Sequence, residues 1–227
     1  MTPEPIIAPT QVFPLVRHLS FRLTPVLMRT SITPNQITAL SLLFGLLSVV
    51  CFILGNYIAG IIGALFLTTS YTLDNCDGEV ARIKNMSSEF GAKFDDIVDW
   101  LVDTSFFAAL GYGTSQVTNQ PFWFWLGCAA AAGASIDYII DLNYHSKNKK
   151  KEDSKTREQQ AFKHKQPQDK LDWVIYIFHK LSRADFCIIV LILALYNVAW
   201  ILLPFAAIGA QMYWISDLFE KTRGYRT

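Results

Sequence analysis

The chain has 227 residues, of which 52% are hydrophobic, 14% aromatic and 17% charged, with a formal net charge of +1. Soluble domains usually carry about 25% charged residues, and here the apolar residues come in long runs: 36–54, 57–73 and 104–136 contain no charge. Such runs identify an integral membrane protein with no room for a large extra domain.

The first ten residues, MTPEPIIAPT, lack the basic region and apolar core of a cleavable signal peptide. In residues 11–30, Val12, Leu15, Val16, Leu19, Leu23, Val26 and Leu27 recur at helical spacing among Arg17, His18, Arg22 and Arg29. This predicts an amphipathic helix in the membrane interface, interrupted near Pro25. Thr33 and Pro34 fit the N-cap and first position of a first span that ends near Leu54. Gly55 and Asn56 turn the chain into a second span, 57 to about 84. A third helix is expected from about 89 to 114, and a fourth span from 122 to about 144.

Residues 145–183 form a basic loop whose end, LDWVIYIFHKLS, suits a short interfacial helix. Its charge run lacks the aromatic interleaving expected of a nucleic-acid site. The last apolar block, 184–216, is too long for one span and short for two. Basic residues at both its ends make it a hairpin, turning near Asn197 to Pro204. With six spans, all 20 Lys and Arg fall on one side, which places both termini in the cytoplasm. The expected organisation is an N-terminal segment 1–32 with the interfacial helix, an all-α domain of six transmembrane helices over 33–217, and a cytoplasmic tail 218–227. Cys51, Cys76, Cys128 and Cys187 have no CxxC spacing, so neither a disulfide framework nor a zinc site is expected.

The chemistry concentrates in LDNCDGEVARIKNMSSEFGAKFDDIVD, Leu73 to Asp99. Carboxylates beside a membrane span are costly unless paired, hydrated or bound to metal. On the second helix Asp74, Asp77, Gly78, Ala81 and Arg82 share one face; on the third, Gly91, Asp95, Asp99 and Asp103 recur every four residues. Packed antiparallel, the two faces can gather four carboxylates, which cannot all ionise without compensation. Divalent cations supply it, and all-oxygen ligands favour Mg2+, Mn2+ or Ca2+ over zinc. Gly78 and Ala81 leave the helix bare for close approach of a ligand. Arg82 offers a bidentate donor to a phosphate, and Asp99, last of the four gathered carboxylates, is the candidate to accept a proton from an attacking hydroxyl.

The pattern D-x2-D-G-x2-A-R-x8-G-x3-D-x3-D, with eight fixed residues over 26 positions, resembles the signature of the CDP-alcohol phosphotransferases. The wider resemblance covers residues 12–216, and Thr33 to Thr38 resembles the family's opening of the first span. The resemblance implies that Asp74, Asp77, Asp95 and Asp99 hold two divalent cations, Mg2+ or Mn2+, with Asp99 also the base. Gly78, Ala81 and Arg82 would contact the CDP moiety and Gly91 would allow close packing near the cytidine. Asn35 and Thr38 are further donor-binding candidates, and Arg183 resembles a position that binds acceptor or donor phosphate. The implied reaction transfers a substituted phosphate from a CDP-linked donor to an acceptor alcohol, with CMP released. The implied partners are those two substrates, membrane lipids and a second copy in a homodimer, at a site open to the cytoplasm. Two other readings, an aspartate-rich intramembrane prenyltransferase and a divalent-cation transporter, leave Gly78 and Arg82 without a role.

Overall fold

The computed structural model describes residues 14–148 and 185–223, and these are helical with no strand among them. In chain order the helices are α1 (Val16–Met28), α2 (Pro34–Ile53), α3 (Tyr57–Ile83), α4 (Glu89–Thr118), α5 (Pro121–Asn148), α6 (Phe186–Leu195) and α7 (Leu202–Arg223). A short 3-10 turn, Ala199–Ile201, precedes α7. Most of the basic loop, the expected interfacial helix at 171–182, and Arg183 lie outside the described residues.

Local sequence chemistry sets these boundaries. Thr33 caps α2 in a capping box, with its backbone N–H donating to the Gln36 side chain at 2.9 Å, and Pro34 fills the first turn. Gly55 turns the chain into α3 at φ +67°, where a Cβ would also meet the Gly113 carbonyl oxygen at 2.7 Å. Only glycine fits there. Asn119 ends α4 and Asn197 ends the α6 segment in the same left-handed region. The break in the last apolar block thus falls at 196–201, within the first part of the expected turn. Helix α5 continues to Asn148, four residues into the expected loop, and α7 continues to Arg223, into the expected tail.

Helix α1 differs from its expected form in two ways. It runs through Pro25. The proline forfeits one intrahelical hydrogen bond, but tertiary hydrogen bonds of Ser20 and Thr24 anchor the turn before it. The face turned to the bundle is also polar as well as apolar: Val16, Ser20 and Thr24 are buried while Leu15, Leu19 and Val26 stay exposed.

Helix α2 packs on α3 and α4, α4 on α5, and α5 on α7, while α3 also carries α1 and α6. Phe106 is fully buried at the centre, edge-on to Phe52 at 5.0 Å and to Phe186 at 5.6 Å. Helices α4 and α5 cross backbone to backbone: a Cβ on Gly127 would lie 2.5 Å from the Phe107 carbonyl oxygen and 3.0 Å from the Gly111 Cα. Between α2 and α3, Ser41 Oγ donates to the Ser70 carbonyl at 3.0 Å and Ser70 Oγ to the Ser41 carbonyl at 2.8 Å. Small residues of this kind let helices approach closely in a bilayer. The outer surface is apolar, with Leu43, Leu47 and Val50 on α2 and Phe122, Trp125 and Ile139 on α5 exposed, as lipid-facing helices require. Among the described residues, two stretches are long and apolar enough to cross a membrane, Pro34–Ile53 and Pro121–Ile140. Helices α3 and α4, which carry the acidic stretch, are not among them.

Candidate active site

The site lies between the C-terminal half of α3 and the N-terminal half of α4, both of which pack on α2. The link between them is short and closed at both ends. At its start Asn85 adopts the left-handed conformation, φ 54°, with its N–H on the Arg82 carbonyl, and the Met86 N–H reaches the Ala81 carbonyl at 2.8 Å. This pairing satisfies carbonyls that the helix end would otherwise orphan. Lys84 Nζ donates to the Thr30 carbonyl at 3.1 Å and the Ile32 carbonyl at 2.8 Å, tying the link to the segment after α1. At the other end Ser88 caps α4 by accepting from the Gly91 N–H at 3.0 Å.

This hairpin brings the expected carboxylates together. Asp74, Asp95 and Asp99 each present an oxygen within 4.8 Å of the others. Asp77 is 4% exposed, faces Asp95 and accepts a hydrogen bond from the Thr38 hydroxyl. Thr38 therefore sits beneath the cluster and orients Asp77 from α2. One turn below Asp99, Asp103 accepts from the Tyr71 hydroxyl at 2.7 Å and closes the floor. Asp74 Oδ1 and Asp95 Oδ1 are buried and have no hydrogen-bond partner among the described residues.

The remaining expected residues, apart from Arg183, flank the carboxylates on α3, α4 and α2. Among the described residues a Cβ placed on Gly78 would meet only the Arg82 guanidinium, at 3.4 Å, so they leave the helix face bare beside an exposed arginine. Ala81, half-buried, continues that small-residue surface. Gly91 lies against Asn35: a Cβ there would stand 3.1 Å from the Asn35 side-chain oxygen.

Two acidic residues have structural partners that the sequence did not announce. Glu79 accepts from Ser20 Oγ at 3.0 Å and from Thr24 Oγ1 at 2.5 Å. Asp185, buried at the start of α6, accepts from the Val16 backbone N–H at 3.0 Å. Ser20 and Thr24 stand one turn apart in line with Val16, a polar stripe that the leucines beside it obscured.

The residues fit a divalent cation. Two buried carboxylate oxygens with no partner are expensive to maintain, and a hard cation satisfies carboxylate oxygens while it offsets their mutual repulsion. Asp74, Asp95 and Asp99 would hold the ion, with Asp77 adjoining through Asp95.

The sequence model of the CDP-alcohol phosphatidyltransferase family matches residues 31–212. The chain belongs to this membrane-integral family of transferases, which generally depends on divalent cations. It is 36% identical over 120 residues to the bifunctional IPC transferase and DIPP synthase of Thermococcus kodakarensis, covering 53% of this chain and 26% of that protein. The protein of the same name from Aquifex aeolicus is 38% identical over 127 residues, 56% of this chain and 28% of its own length. The archaetidylinositol phosphate synthase of Pyrococcus horikoshii is 35% identical over 105 residues, 46% of this chain and 54% of the relative. The alignments thus span about a quarter of the first two relatives and about half of the third.

Proposed function

We propose that the chain transfers a substituted phosphate from a CDP-linked donor to an acceptor alcohol and releases CMP, in the assembly of phospholipids. The observation that carries this reading is the pair of buried oxygens on Asp74 and Asp95 with no hydrogen-bond partner among the described residues, set beside Asp99 next to a bare, arginine-flanked helix face.

Two divalent cations, Mg2+ or Mn2+, held by Asp74, Asp77, Asp95 and Asp99, would neutralise the donor's pyrophosphate and the charge that grows on it during transfer. Gly78 and Ala81 admit the pyrophosphate close to the α3 backbone, and Arg82 grips it from the solvent side. Gly91 and Asn35 shape the space beside them for the nucleotide. Asp99 takes the proton from the acceptor hydroxyl as that oxygen bonds to the donor's β-phosphorus. The bond from this phosphorus to the bridging oxygen breaks, and CMP leaves with the electron pair. Thr38 holds Asp77 in place throughout.

The acceptor is a phosphorylated polyol of the inositol phosphate class, the class named in the product of the Pyrococcus relative. Either CDP-diacylglycerol or another CDP-linked lipid would supply the donor. Arg183, two residues before the buried Asp185, is proposed to bind the acceptor's phosphate. The chain crosses the bilayer six times, with α1 in the cytoplasmic interface, its exposed Leu15, Leu19 and Val26 in lipid, and both termini in the cytoplasm. Two copies form the working unit.

The test is CMP release by the purified protein with Mg2+ or Mn2+, using CDP-diacylglycerol and small CDP-alcohols against a panel of free and phosphorylated polyols. The expected result is metal-dependent release with an inositol phosphate, abolished by EDTA. Release with free alcohols alone would overturn the acceptor assignment. No release from any pairing, by protein that binds Mn2+, would overturn the transferase reading.

A further inference from the structure

Glu79 lies inside the acidic stretch, one residue after Gly78 and two before Ala81, yet it turns away from the aspartates. Both its oxygens accept hydrogen bonds from α1, Oε1 from Ser20 and Oε2 from Thr24. Ser20 and Thr24 are fully buried. The Cys76 thiol also reaches the Ser20 carbonyl, at 3.9 Å. A purely apolar stripe would seat an interfacial helix at lower cost than a partly buried carboxylate does. What the carboxylate adds is geometry, because two hydrogen bonds to one planar group fix where it sits and how the helix beneath it is rotated. That rotation matters here. With side chains about 5–6 Å from the helix axis, a turn of roughly 10° moves a ligand atom by about 1 Å, and a misplacement of this size can cost on the order of 100-fold in rate.

We propose that Glu79 is a positioning residue: clamped by Ser20 and Thr24, it sets the rotation of α3 and thereby the aim of Asp77, Gly78 and Arg82. This rests on the transferase reading for its kinetic consequence, but not for its effect on metal binding. Helix α1 is thus part of the site's support as well as a membrane contact.

The test uses full-length protein in lipid nanodiscs, with Mn2+ affinity read by electron paramagnetic resonance and CMP release read separately. Glu79→Ala and the pair Ser20→Ala with Thr24→Val should each weaken Mn2+ binding by about 5-fold or more. Each should lower kcat by on the order of 100-fold. Because they break one clamp, all three substitutions together should be no worse than either alone. Glu79→Gln, which can still accept from one hydroxyl and donate to the other, should recover most of both readouts. Glu79→Asp, one methylene short of the hydroxyls, should not. This second pair decides the matter if Glu79→Ala fails to fold. Mn2+ affinity within twofold of wild type in Glu79→Ala overturns the proposal, whatever happens to the melting temperature. Additive losses overturn it too, as does a Glu79→Asp variant that matches wild type. If the wild-type protein binds Mn2+ but releases no CMP, the transferase reading falls while the Mn2+ arm still decides the role of Glu79.

Discussion

Asp99 differs from its neighbours in the cluster by being exposed, whereas Asp77 is buried and Asp74 and Asp95 each hide one oxygen. An incoming hydroxyl can reach Asp99, which supports its proposed part as base. Asp99→Asn keeps the shape and one oxygen ligand, so Mn2+ affinity should fall only a few-fold. The loss of a general base should lower turnover by about 100- to 10,000-fold. Substantial turnover in that variant would remove Asp99 from the role. Arg82 stands beside the bare backbone of Gly78, where a planar fork can take two oxygens of one phosphate. Arg82→Lys keeps the charge but not the fork, so donor KM should rise by about 10-fold. An unchanged KM would mean that Arg82 serves as a membrane-side anchor.

At the scale of the helices, the punctuation was open to reading and the lateral contacts were not. Thr33, Pro34, Gly55 and Asn197 act within one turn of themselves, so their chemistry shows in the local sequence. Ser20 and Glu79 meet across 59 positions, and no local pattern announces such a pair. The same holds for Thr38 and Asp77, 39 positions apart. The α4–α5 crossing offers a test of how closely the site depends on its scaffold. Gly127→Val would drive a branched side chain into the Phe107 carbonyl and the Gly111 backbone. Overpacking of this kind costs about 1–3 kcal/mol or more, so the melting temperature should drop by several degrees. An unchanged melting temperature would show that α5 shifts freely on α4.

For the whole molecule, the helical class and the aspartate cluster were legible because both are written in short-range periodicity. Runs without charge mark the helices, and the spacing of Asp74, Asp77, Asp95 and Asp99 marks two facing stripes. What could not be read was the grading within the cluster, in which three carboxylates converge while Asp77 is drawn aside by Thr38. That grading depends on α2, whose contribution is a single hydroxyl. The proline in α1 misled for a related reason: propensity argues for a break, and tertiary anchoring at Ser20 and Thr24 overrides it.

The closed link between α3 and α4 has a bearing on how the protein is made. All the converging carboxylates lie within 26 consecutive residues, on one hairpin whose turn is sealed by Asn85 and Ser88. Contacts so near in sequence cost little loop entropy and form early. During synthesis the acidic hairpin can close before α5 to α7 have left the ribosome. Its charges then depend on cations and on α1 and α2, already made, to remain beside the bilayer. The order of the chain places the hydroxyls of Ser20, Thr24 and Thr38 ahead of the acids they hold.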